Sequence, residues 1–98
     1  MIVKKISSAG KLLDLNETRK IKFHNIILEP GQEVGIHSTK NREEVIVVLK
    51  GVATIELEGE DDINVEKDYL IYIPSGKKHN VKNIGNQTLH YFVFVCFD

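Results

Sequence analysis

The feature that most constrains this chain is a series of short apolar runs rich in Ile, Val, Phe and Tyr, each ended by turn residues. The clearest runs occupy residues 21–28, 45–49, 52–57, 69–73 and 89–97. Between them sit Pro30-Gly31, Gly51, Gly59 to Asp62, Pro74-Ser75-Gly76 and Gly85-Asn86. Proline presets φ and glycine supplies positive φ, so these breakers are turns with a physical cause. Strands at such spacing, with no long segment of 3.6-residue period, predict an all-β sandwich or barrel. Only residues 11–19 have a pattern that could form a short helical turn near the N-terminus. At 98 residues, the chain is expected to be one domain spanning residues 1–98.

Several runs are apolar at every position, as in Val45-Ile46-Val47-Val48-Leu49 and nearly so from Tyr91 to Phe97. One buried face suffices for a strand with a solvated exterior, and two apolar faces need a second cover. In a chain with hardly any helix, that cover is expected to be another copy, giving a homodimer packed sheet against sheet. A formal net charge of −1 gives no electrostatic reason to expect a nucleic-acid or membrane partner. Residues 89–97 are about half the length of a membrane-spanning helix, and residues 1–10 lack a signal peptide's apolar region. The lone Cys96 cannot form an internal disulfide, which fits a reducing compartment. A cytoplasmic protein is expected.

Two segments carry candidate chemistry. The first contains Gly31, His37, Thr39, Glu44 and Gly51; the second contains Asp68, Pro74, Gly76, His79 and Asn83. Their spacing resembles the two motifs of the cupin family, small members of the RmlC-like superfamily. The first family motif runs glycine, five residues, His-x-His, three or four residues, Glu, six residues, glycine. The second runs glycine, five residues, Pro-x-Gly, two residues, His, three residues, Asn. This chain departs twice, with Thr39 in place of the second histidine and Asp68 in place of the second motif's opening glycine. The resemblance covers roughly residues 28–97. It implies a double-stranded β-helix, or jelly-roll barrel, with His37, Glu44 and His79 as ligands of a divalent metal.

The residues support that implication physically. Strand positions two apart share a face, so position 39 is expected to point the same way as His37, roughly 7 Å along. If Glu44 points inward, so do Ile46 and Val48, and Glu43 points to the other face. Two imidazoles and a carboxylate in an apolar barrel are costly unless paired or metal-bound. The set suits Fe, Mn, Ni, Co or Zn. Replacing a ligand histidine with threonine leaves at most three ligands and an open coordination position, or a pocket with no metal.

Thr39, His24 and His90 are further candidates for the pocket lining, His90 because it opens the last long strand. Lys40, Arg42, Lys77 and Lys78 flank the two loops and could draw an anion to the barrel mouth, or could simply be solvated. Tyr69, Tyr72 and Tyr91 read as core or interface aromatics, any of which could reach the pocket. Asn83 reads as a turn-stabilising residue. The expected function is binding or transformation of a small polar metabolite at the metal, of the oxygenase or isomerase type. The alternative is a metal-free module that binds a sugar-like ligand without catalysis. The fold supports many reactions, so it does not choose whether the chain is an enzyme.

Overall fold

The computed structural model describes residues 1–7 and 9–98. Among these residues nine strands follow one another: β1 (Gly10–Leu13), β2 (Ile21–Leu28), β3 (His37–Ser38), β4 (Arg42–Lys50), β5 (Val52–Leu57), β6 (Ile63–Glu66), β7 (Leu70–Ile73), β8 (Lys78–Lys82) and β9 (Leu89–Phe97). They form two antiparallel sheets, ordered β1-β2-β9-β4-β7 and β3-β8-β5-β6. Among the described residues there is no helix. Residues 11–19, the stretch that could have been helical, form the end of β1 and a turn. Lys11 and Leu13 pair with β2, and the Glu17 and Thr18 amides donate to the Asp14 carbonyl. Pairing with β2 satisfies the backbone of this segment better than an isolated helical turn would.

The core lies between the sheets. Inward side chains alternate along each long strand: Ile46 and Val48 on β4, Ala53 and Ile55 on β5, and Leu89, Tyr91 and Val95 on β9 are all buried. Both faces of β4 and β9 are apolar. The outer set includes Val45, Val47 and Phe92, which are half-buried, and Phe94, which is exposed. The chain's own N-terminal segment reaches this side of the sheet at β2, where Asn25 Nδ2 donates to the Ile6 carbonyl at 2.9 Å.

Two turns need their backbone conformation. Gly51, at φ +77°, closes the β4–β5 hairpin, and a Cβ there would stand 2.6 Å from the Thr88 carbonyl oxygen. Asp68 stands at φ +74°, in the left-handed region that glycine favours and aspartate tolerates better than most residues. Its amide donates to the Val48 carbonyl. The departure from the second motif therefore keeps the turn.

Candidate metal centre and ligand pocket

His37 and His79 are cross-strand partners on β3 and β8 of the smaller sheet. Glu44 reaches them from β4 of the larger sheet, so the site joins the two layers. Glu44 Oε2 lies 3.1 Å from His79 Nε2, and Glu44 Oε1 lies 3.8 Å from His37 Nε2. The imidazole centroids are 4.1 Å apart. One ligand atom from each of the three residues falls within 4.8 Å of the others. Glu44 and His79 are buried, and His37 is half-buried at the opening.

The surrounding bonds set the protonation of each group. His37 Nδ1 lies 3.1 Å from the Gly35 carbonyl. A carbonyl only accepts, so the proton is placed on Nδ1 and the Nε2 lone pair faces the cluster. Burial pushes the Glu44 pKa up, but the His79 hydrogen bond and the electrostatic influence of His79, His37 and Arg42 beside it outweigh that and hold it below the ordinary carboxylate value. Arg42 Nε stands 3.7 Å from Glu44 Oε1. His79 Nδ1 is buried with no hydrogen-bond partner among the described residues.

These residues fit a divalent metal. Two imidazole nitrogens and a carboxylate oxygen are a donor set for first-row transition metals, and His37 is held in the tautomer that coordination needs. His79 is less prepared. Coordination through Nε2 places its proton on Nδ1, where no acceptor waits, at a cost of about 1–3 kcal/mol for a buried unmet donor.

The pocket beside this cluster has a volume of about 190 Å³. Its walls are inward residues of β2, β4 and β9, among them Ile26, Ile46, Tyr91 and Val93. Burial, with the Glu44 charge adding to it, raises the Tyr91 pKa far above its ordinary value, so the phenol stays neutral. His24 also lines the pocket. Burial lowers its pKa first, with Lys22 and Lys11 acting in the same direction against the smaller pull of Asp14 and Glu44.

Thr39 and His90 lie elsewhere. β3 ends at Ser38, so the two-residue alternation does not carry on to position 39. Thr39 is fully buried against the Pro74–Lys77 loop. Its Oγ1 lies 2.8 Å from the Pro74 carbonyl and 3.1 Å from the Lys77 carbonyl, and accepts from the Lys77 amide at 2.9 Å. His90 falls on the outer face of β9, where Nε2 hydrogen-bonds Asn25 Oδ1. Of the loop cations, Arg42 lines the pocket. Lys77 and Lys78 face Glu60 and Glu58 instead. Glu43 is exposed and accepts from the Tyr72 hydroxyl at 2.9 Å. Asn83 ties its turn through Leu28, Gly85 and Gln87. Lys22, not anticipated from the sequence, lines the pocket. Its position two residues before His24 was the available signal.

Residues 24–96 match the family model described as "Cupin domain". A solved RmlC-like cupin of Methanocaldococcus jannaschii, with a double-stranded β-helix fold, superposes with a TM-score of 0.84 at 25% identity, covering 99% of this chain and 93% of that one. An oxalate-binding protein of Thermotoga maritima is 26% identical over 73 residues, covering 74% of this chain and 60% of its own length. A putative mannose-1-phosphate guanylyltransferase of Vibrio cholerae is 32% identical over 76 residues, 78% of this chain but 16% of that much longer protein. Two sheets facing one another, both motifs in register and a family match over most of the length agree: the chain belongs to the cupin family and has its jelly-roll fold.

Proposed function

We propose that the chain binds a divalent transition metal through His37 Nε2, a Glu44 oxygen and His79 Nε2, and presents it to a small polar metabolite in the adjoining pocket. The observation that carries this reading is the convergence of three donor atoms within 4.8 Å of one another at the wall of a 190 Å³ pocket. The bond from His37 Nδ1 to Gly35 supports it. A bound metal supplies Lewis acidity toward a ligand oxygen. The chain's own part is to fix three ligands, keep one side open toward the pocket and surround the ligand with apolar walls. The oxalate-binding relative supports a small ligand.

A metal-free binding role is favoured by one observation. The Glu44–His79 hydrogen bond pairs the buried carboxylate without any metal, while His79 Nδ1 lacks the support coordination would use. Elemental analysis of protein purified without a polyhistidine tag decides between the two. The metal reading expects near-stoichiometric metal that is lost in the His37→Ala, His79→Ala double variant. Protein that stays metal-poor after exposure to Fe, Mn, Ni, Co and Zn would overturn it in favour of the metal-free module.

The homodimer belongs to the same proposal. Val45, Val47, Phe92 and Phe94 form an apolar outer face on β4 and β9. A second copy would bury it sheet against sheet.

A further inference from the structure

Lys22 and Arg42 are both inward-facing residues of the larger sheet, on strands that flank β9. Lys22 and Glu44 are each paired with Val95, and Arg42 is paired with Phe97. Neighbouring strands lie about 4.8 Å apart, so Lys22 and Glu44 stand roughly 10 Å apart across β9. Both cations lean over one ring: Lys22 Nζ is 5.4 Å and the Arg42 guanidinium carbon 5.7 Å from the Phe97 centroid. Two like charges drawn to one aromatic side chain at a half-buried pocket mouth repel one another, and an anion between them would offset that repulsion. The acids nearby do not complete the match. Asp14 Oδ1 is 3.8 Å from Lys22 Nζ, and Glu44 is 3.7 Å from Arg42 Nε, both longer than a hydrogen bond.

A second observation points into the same space. Arg42 Nε and His24 Nε2 are buried and have no hydrogen-bond partner among the described residues, and both residues line the pocket. Buried polar nitrogens are normally satisfied, and an exception calls for a ligand or solvent partner. Arg42 Nη2 is already committed to the Ser38 carbonyl, which fixes the guanidinium, and its Nε edge meets only Glu44 Oε1 at 3.7 Å, beyond hydrogen-bond distance.

We propose that this end of the pocket is a carboxylate subsite, in which Lys22, His24 and Arg42 hold the acid group of a small organic acid whose other polar end lies toward His37, Glu44 and His79. The inference rests on the pocket reading above and deepens it by naming the ligand class. A volume of 190 Å³ is about six times the ~30 Å³ that a water molecule occupies in the liquid. That leaves room for a handful of non-hydrogen atoms, as in a two- to four-carbon acid. Two partly shared cations match one carboxylate better than a phosphate dianion, which would also carry a larger desolvation cost against the apolar walls.

Titration calorimetry with malonate and glycolate, against their uncharged amides malonamide and glycolamide and against inorganic phosphate, tests the assignment. It is run on metal-loaded and chelator-stripped protein, with metal content measured in parallel. The proposal expects both acids to bind more tightly than their amides and than phosphate. Arg42→Gln and Lys22→Met are each expected to weaken malonate binding about tenfold or more, the scale of one charge-assisted hydrogen bond. Two substitutions on different strands, each checked by its thermal melt, guard against misfolding of one. Amides binding as well as acids, tighter binding of phosphate, or both folded variants binding malonate like the parent would overturn the subsite. Failure of the metal reading shows separately, as absent metal with Arg42-dependent malonate binding retained in stripped protein.

Discussion

Replacing Thr39 tests whether the family's lost histidine cost this chain a ligand or gained it a structural bond. Thr39 is fully buried. Its hydroxyl donates toward the Pro74 carbonyl at 2.8 Å, shared with the Lys77 carbonyl at 3.1 Å, and accepts from the Lys77 amide at 2.9 Å. Thr39→Val keeps the shape and removes the oxygen, so no cavity forms. The donated bond is worth about 1 kcal/mol, and the orphaned Lys77 N–H costs about 1–3 kcal/mol. Together they predict about 2–4 kcal/mol of destabilisation, a fall in Tm of roughly 10–25 °C for a domain of this size. Metal stoichiometry well below the transition should be unchanged, because Oγ1 points into the loop and not at Glu44. Thr39→His should not restore a fourth ligand. The larger ring has no space where Thr39 sits, and overpacking costs about 1–3 kcal/mol more. Thermal denaturation with elemental analysis of both variants checks this. Tighter metal binding by Thr39→His, or Thr39→Val with parental stability and reduced metal, would refute the reasoning.

Other consequences follow from the same geometry. The Glu44 pKa is lower folded than the usual 4.5, so its ionised form stabilises the fold above the unfolded value. That contribution is lost as pH falls through the folded value; denaturation from pH 7 downward should show a shallower acid-side loss for Glu44→Gln than for the parent. An equal slope would remove Glu44 from the account. Gly51→Ala combines a positive φ, costing about 1–2 kcal/mol, with a Cβ 2.6 Å from a backbone oxygen. It should lower Tm by roughly 10 °C or more, read by calorimetry. Phe94→Glu, on the exposed outer face of β9, should convert a dimer to a monomer in light scattering while leaving metal content intact.

Alternation on the long strands was readable because each holds enough residues to show its period. Glu44, Ile46 and Val48 face inward as the pattern requires, and Glu43 faces out. The same rule failed at Thr39 because β3 is two residues long, and a period cannot be extended beyond the hydrogen bonds that impose it. It was silent on His24 and His90, since both lie on strands apolar on both faces. Their orientation depends on the β2–β9 register, which pairs His24 with Val93 and His90 with Ile27. Residues directly opposite share a face, so that register alone puts His24 inside with Tyr91 and Val95 and leaves His90 outside.

That distinction also explains why the cationic end of the pocket was the least legible part. A lysine or arginine on a strand reads by default as a solvent-facing residue. Lys22 has the parity of His24, Ile26 and Leu28, and Arg42 has the parity of Glu44, Ile46 and Val48. On each strand the cation therefore stands at the end of the inward face, next to His24 on β2 and Glu44 on β4, with the apolar residues beyond them. A buried carboxylate can account for one such cation, and Glu44 stands within 4 Å of Arg42. It cannot also account for Lys22 across β9, whose acidic neighbour among the described residues is Asp14 at 3.8 Å. With an inward cation on each side of β9 and neither within hydrogen-bond distance of an acid, this end of the pocket is where the proposed carboxylate subsite lies.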